Sequence, residues 1–120
     1  HRAWLVVREH LRMRSQNQVI DASEPLSERF RRTDAFSDYR SAVVMVDFSA
    51  YQDFGRDGRC LAVTNATQEL VEVTTTADCL VSFRSGSPVN IEFKVIRGAT
   101  DGQAIVDDIK LSVVTPSLIR

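Results

Sequence analysis

Lysine, histidine, tryptophan and cysteine are all scarce in this 120-residue chain: Lys94 and Lys110, His1 and His10, Trp4, and Cys60 and Cys79 are the whole supply. Two cysteines and two remote histidines lack the clustered spacing that a zinc site needs. Neither histidine stands in a serine, cysteine or carboxylate context that marks nucleophilic catalysis. Long apolar runs are missing too. Ala42-Val43-Val44-Met45-Val46, which no other run exceeds, has strand length and falls far short of the ~20 residues of a transmembrane helix. Glycine is sparse, and no glycine-rich phosphate loop occurs; Asp53-Phe54-Gly55 spells a kinase tripeptide without the loops a kinase requires, so it reads as coincidence. The chain opens on His1-Arg2 rather than on a secretory leader and ends at Arg120, and it reads as a processed product or an excised piece of something longer.

What is present is ordinary for a globular domain: 43% apolar and 26% charged residues, with length for one domain over 1–120. Net charge is −1, so no global field recruits nucleic acid or an anionic membrane. Of the 15 basic residues all but two are arginine. Arginine favours bidentate contacts and interfaces, although codon usage is the simpler cause.

The apolar pattern has a period of two along much of the chain. Ala3, Leu5, Val7, Leu11 and Met13 share one parity and Arg8, His10, Arg12 and Arg14 the other, which predicts a strand; Trp4, Val7 and Leu11 also recur at helical spacing. Residues 15–41 are polar and turn-rich, with a short strand at Val19-Ile20 and, between Leu26 and Phe36, either a helical turn capped by Ser27 or a long loop. Strands are expected at Ser41–Tyr51, Cys60–Thr64, Glu69–Thr76 and Asp78–Arg84. Val89, Ile91, Phe93 and Val95 alternate with Asn90, Glu92 and Lys94 in the cleanest half-buried strand, and Ile105, Ile109, Leu111 and Val113 define the last, interrupted by Asp107. Turns fall at 53–58, 85–88 and 98–102. Seven or eight short strands with turns between them predict an all-β fold, an antiparallel β-sandwich or jelly roll.

The stretch Val89–Leu111, with Arg97-Gly98 ending a strand, Gly102 in the turn and Asp107-Asp108-Ile109 in the final strand, resembles the closing hairpin of MAM domains, the extracellular jelly rolls of meprins, neuropilins and receptor tyrosine phosphatases. The resemblance covers about a fifth of the chain and implies a jelly roll in an adhesive, extracellular context. The family's cysteine frame and its tryptophan-bearing strands are not matched, and no binding residue is carried over.

Several residues are candidates for a site. Cys60 and Cys79 can form a disulfide that would stabilise by about 3 kcal/mol, and Asn65-Ala66-Thr67 between them is an N-glycosylation sequon at Asn65; together they point to a secreted or cell-surface setting. Arg8, His10, Arg12 and Arg14 would form a basic stripe on one side of a strand, extended by Arg31 and Arg32, able to meet a sulfated glycan, a phosphate or an acidic partner. Tyr39, Phe48, Tyr51 and Phe54 could line a sugar platform or the core. Asp107 and Asp108 point to opposite strand faces unless a bulge turns one; with Asp101 they are the best candidates for a calcium cage, and Asp53 and Asp57 flank glycines in another turn.

These readings predict a non-catalytic extracellular module without a required cofactor, calcium being the exception allowed. It would contact other protein chains, or other domains of its own protein, in adhesion or fibre building. A carbohydrate-binding module is the alternative, and a small enzyme or enzyme subunit the third. Neither nucleic-acid binding nor membrane insertion is expected.

Overall fold

A computed structural model of the chain describes residues 2–54, 58–79, 81–98 and 102–114. It contains α1 (Arg2–Ser15), α2 (Glu28–Arg31), α3 (Asp34–Val43), β1 (Val46–Asp47), α4 (Ser49–Phe54), β2 (Leu61–Ala66), β3 (Leu70–Thr75), β4 (Ser82–Phe83), β5 (Val89–Arg97) and β6 (Ala104–Val113). Four strands form one antiparallel sheet in the order β2-β3-β5-β6, and β1 pairs with β4 in a separate two-stranded ribbon. This is a mixed helix-and-sheet fold, which corrects the expected all-β sandwich.

The main correction lies at the start of the chain. Residues 2–15 are helical, and the buried positions are Ala3, Val7, His10, Leu11, Arg14 and Ser15, a stripe at helical spacing. Leu5, which shares parity with Ala3 and Val7, is exposed. A helix explains both facts and a strand neither. α1 crosses the inner face of the sheet and touches β2, β3, β5 and β6. Val7 and Leu11 are fully buried with Val73, Ile91, Phe93, Val106 and Ile109.

Only one face of the sheet is apolar. Along β5, Val89, Ile91, Phe93 and Val95 are buried, while Asn90, Glu92 and Lys94 are exposed. The outer face carries cross-strand rows of alternating charge: Glu72 opposite Lys94 opposite Asp108, and Thr74 opposite Glu92 opposite Lys110. Such rows stabilise a solvated face, and a second sheet packed on them would desolvate five charges. The period-two pattern therefore located the strands of one sheet, and helices supply the other layer.

Two other expectations change. Ser41–Tyr51 is not a strand: Val43 and Phe48 are buried, yet the chain passes from the end of α3 through the two residues of β1 into α4. Among the described residues of 78–84 only Ser82–Phe83 is extended, and it pairs with β1 rather than with the main sheet. The helical turn after Ser27 is present. Ser27 caps α2, its hydroxyl accepting from Phe30 N at 3.0 Å, and Thr33 caps α3 in the same way through Phe36 N. Phe30 and Phe36, one turn inside each helix, then meet edge to face at 5.4 Å.

β6 contains a bulge. Lys94 pairs with Asp108 and Val95 with Val106, so Asp107 is the extra residue. Without it Val106 and Ile109, three apart, would face opposite sides; with it both are buried. Asp107 is the residue at which the alternation reads as interrupted.

Candidate functional site

Behind α1 lies a buried polar network. Glu24 enters it from the loop between α1 and α2, and Tyr39 from α3. Arg14 donates to both Glu24 oxygens, from Nη1 at 2.9 Å and Nη2 at 2.8 Å, and neither side chain is more than 3% exposed. Arg14 also donates to the following loop, from Nε to Gln18 O at 2.9 Å and from Nη2 to Val19 O at 3.4 Å, and Asp21 N donates to Glu24 Oε2 at 3.1 Å. Tyr39 lies 2.8 Å from His10 Nε2. His10 Nδ1 sits 3.1 Å from Glu24 Oε1, an ion-pair distance off the line of a hydrogen bond, and the imidazole packs edge-on against Phe93 at 5.6 Å.

The charges follow from burial and partners. Burial pushes His10 below its ordinary 6.5; Glu24 pulls the other way without overcoming it, and Arg14 adds to the fall. Burial by itself would raise Glu24, but the close approach of His10 and the hydrogen bonds from Arg14 outweigh it and hold the carboxyl at about 2. Burial also raises the Tyr39 hydroxyl. At neutral pH the network is an ionised Arg14–Glu24 pair beside a neutral imidazole whose Nε2 accepts from the Tyr39 hydroxyl. Arg14 and Glu24 satisfy each other's charge, and His10 Nδ1 alone is buried without a hydrogen-bond partner among the described residues. The network ties α1, the 16–27 loop and α3 together.

The basic stripe therefore does not form. His10 and Arg14 are in the core. Arg12 is exposed and paired with Glu9, and the Arg8 guanidinium lies 5.4 Å over Trp4. Arg31 turns to the carbonyls of Asp21 and Glu24, and Arg32 caps α2. The aromatic platform is dispersed as well. Tyr39, Phe48 and Tyr51 are buried, and the Tyr51 hydroxyl donates to Arg8 O at 3.1 Å; the side chains of Asp53 and Phe54 lie outside the described residues, as does Asp57.

Asp107 and Asp108 are not brought together. Asp107 accepts from Ser27 Oγ at 2.6 Å and pairs with Arg29 at 3.1 Å, whereas Asp108 stands opposite Lys94 on the outer face. Asp101 is outside the described residues. Among those described, no three metal-ligating side chains converge.

Cys60 and Cys79 are disulfide-bonded, with Cα atoms 5.0 Å apart. The bond fastens the entry of β2 to the segment leaving β3. Asn65 is exposed on β2. The sequon's Thr67 serves the β2–β3 turn, its hydroxyl accepting from Leu70 N at 3.0 Å. Among the described residues no helix is long and apolar enough to cross a membrane.

The two edges of the main sheet differ. The β6 edge is occupied near its start: Leu26 forms a parallel bridge to Val106, with Val106 N donating to Pro25 O and Ser27 N to Val106 O, both at 2.8 Å. The β2 edge has no partner strand among the described residues. Leu-Ala-Val-Thr-Asn-Ala is uncharged, whereas β3, β5 and β6 all carry charges, and Val63, Thr64, Asn65 and Ala66 are exposed. A bulge at Thr64 interrupts its ladder with β3.

Sequence reasoning considered Glu24 only as a turn residue or a surface salt-bridge partner of the arginine ladder, not as a buried one, and did not single out the β2 edge. The signal for the first was the stripe Val7, Leu11, Arg14, in which a basic residue at a core position demands an acid from elsewhere. The class defined by these features is a disulfide-bonded domain with helices on one face of a four-stranded antiparallel sheet. Comparison with protein-family models, curated proteins and solved structures found no match for the chain.

Proposed function

We propose that this domain is a non-catalytic assembly module that meets other protein chains by strand addition along β2, beginning with a second copy of itself. The observation that carries this reading is the contrast between the edges: β6 is occupied by Pro25–Ser27, while β2 offers an unpaired, uncharged edge. Unsealed edges template pairing with another chain, and natural sheets usually blunt them with charge or proline. β2 has neither. Neutrality also favours self-pairing, since two copies of a charged strand would oppose like charges. Antiparallel β2–β2 pairing is isologous and closes at a dimer of eight continuous strands. The bulge at Thr64 shortens the regular stretch, so the association is weak and concentration-dependent.

An extracellular setting is part of the proposal. It is supported by the Cys60–Cys79 bond, since disulfides persist in oxidising compartments, and by the sequon at Asn65. The adhesive context implied by the MAM-like hairpin is compatible with strand addition, although the jelly roll it implied is not the fold. The carbohydrate alternative has less support, because Tyr51 is buried and its hydroxyl is occupied.

Analytical ultracentrifugation across a concentration series tests the reading. The expected result is a monomer–dimer equilibrium that Val63→Lys abolishes and Val113→Lys, on the other edge strand, leaves intact. A chain that stays monomeric at the highest concentration, or dimerises equally with Val63→Lys, overturns it.

A further inference from the structure

A second site lies away from β2. A groove of about 410 Å³ runs between the end of α1, the following loop and the α3–β1 corner, lined by Arg14, Asn17, Gln18, Val19, Ile20, Arg40, Val43, Val44, Val46 and Arg84. That volume is typical of a ligand site. Five of its side chains are aliphatic. Val19 and Val44 are 74% and 56% exposed, as is the neighbouring Met45 at 56%, so its mouth is an apolar patch on an otherwise charged molecule.

Its charge is one-sided. Three guanidinium residues line it and no carboxylate does. Arg14 is neutralised from behind by Glu24. Arg40 is stacked on Phe36 at 5.5 Å and makes no ion pair among the described residues. Arg84 is held through its backbone, donating to Met45 O at 2.8 Å, and its head feels Asp47 only at a distance. Two arginine charges are thus left uncompensated beside an aliphatic floor, an arrangement complementary to an anion attached to a small apolar body.

The amides of Asn17 and Gln18 narrow the choice. The Gln18 amide nitrogen already donates to Gln16 Oε1 at 3.3 Å, which leaves its oxygen to accept; a fatty acyl chain would bury that oxygen and the Asn17 amide without partners, at a cost, whereas a peptide backbone would pair with them. We infer that this groove binds the free C-terminal carboxylate of an extended peptide ending in aliphatic residues, with Arg40 and Arg84 on the carboxylate, Asn17 and Gln18 on the backbone, and Val19, Ile20, Val43, Val44 and Val46 around the side chains. Capture of a chain terminus by fixed donors is a recurring recognition mode. None of these residues lies on β2, so the inference stands or falls independently of strand addition.

The test is calorimetric titration of the whole chain with acetyl-Ala-Val-Val bearing a free carboxylate, with the same peptide amidated at its C-terminus, and with octanoate. The free acid is expected to bind at least tenfold more tightly than either other probe. Arg40→Gln and Arg84→Gln should each weaken it about tenfold, the loss of one charge-assisted contact. Both arginines are exposed, so unfolding temperatures of the variants should match the parent, and Val44→Asp gives a second, charge-repelling block. No binding of the acid at millimolar concentration, equal binding of acid and amide, octanoate binding as well as the peptide, or indifference to both arginine variants would each overturn the inference.

Discussion

Arg14 and Glu24 face each other ten residues apart, joined by two parallel hydrogen bonds of 2.9 and 2.8 Å where neither side chain is more than 3% exposed. A buried pair of this kind is costly to break and cheap to replace as a unit, because removing one partner strands the other charge away from water. Arg14→Met and Glu24→Leu should each lower unfolding free energy in urea by about 3–5 kcal/mol, and the double variant by much less than their sum. Additive losses would show that the two charges are solvated independently.

Acid should destabilise this protein in two stages. The folded-state value of His10 lies below its ordinary 6.5, so the unfolded chain takes up that proton first and stability falls as pH drops through 6.5. Glu24 sits at about 2 in the folded state against 4.5 ordinarily, so its contribution is complete above 4.5 and is lost between there and about 2. Thermal midpoints measured from neutral pH downward should decline from 6.5 and steepen below 4.5. His10→Gln should remove the first decline and retain the second.

The Ser27 hydroxyl serves two masters, accepting from Phe30 N and donating to the bulge carboxylate of Asp107. Ser27→Ala should cost about 1–2 kcal/mol, the loss of an N-cap together with its tie to β6. Asp107→Ala should be milder, and amide exchange should rise at Phe30 in the first variant and at Val106 in both. A Ser27→Ala variant as stable as the parent would leave the cap without energetic weight.

The Cys60–Cys79 bond should contribute about 3 kcal/mol in the chain-entropy account. Its removal by paired serine substitution should loosen β2 before the β5–β6 hairpin, because the bond is anchored at the entry of β2, whose one partner strand among the described residues is β3. Exchange rates compared strand by strand would check this; uniform loosening would contradict it.

The β5–β6 hairpin was legible because its alternation is local: Val89 to Val95 states which face is inside. α1 was not, because its core stripe contains His10 and Arg14, whose burial depends on Glu24 and Tyr39, residues no window around α1 contains. Parity then promoted Leu5 and Met13 to the wrong face. The sandwich followed from the same gap, since a sheet with one apolar face demands a covering layer, and the helices that supply it, α1 with α2 and α3, were not read as such. Asp107 was readable as an interruption and a bulge there could be raised, but placing it needs its partners Lys94 and Val95. The disulfide could be proposed from the cysteines, whereas the open β2 edge could not, since strand order decides which strand lies outside.

The most direct test of assembly through β2 is hydrogen–deuterium exchange of the whole chain at low and at high concentration. Pairing of a second copy predicts that amides of Leu61–Ala66 become protected as concentration rises while those of Ala104–Val113 do not change. Unchanged exchange along β2, or new protection confined to other elements, would contradict it.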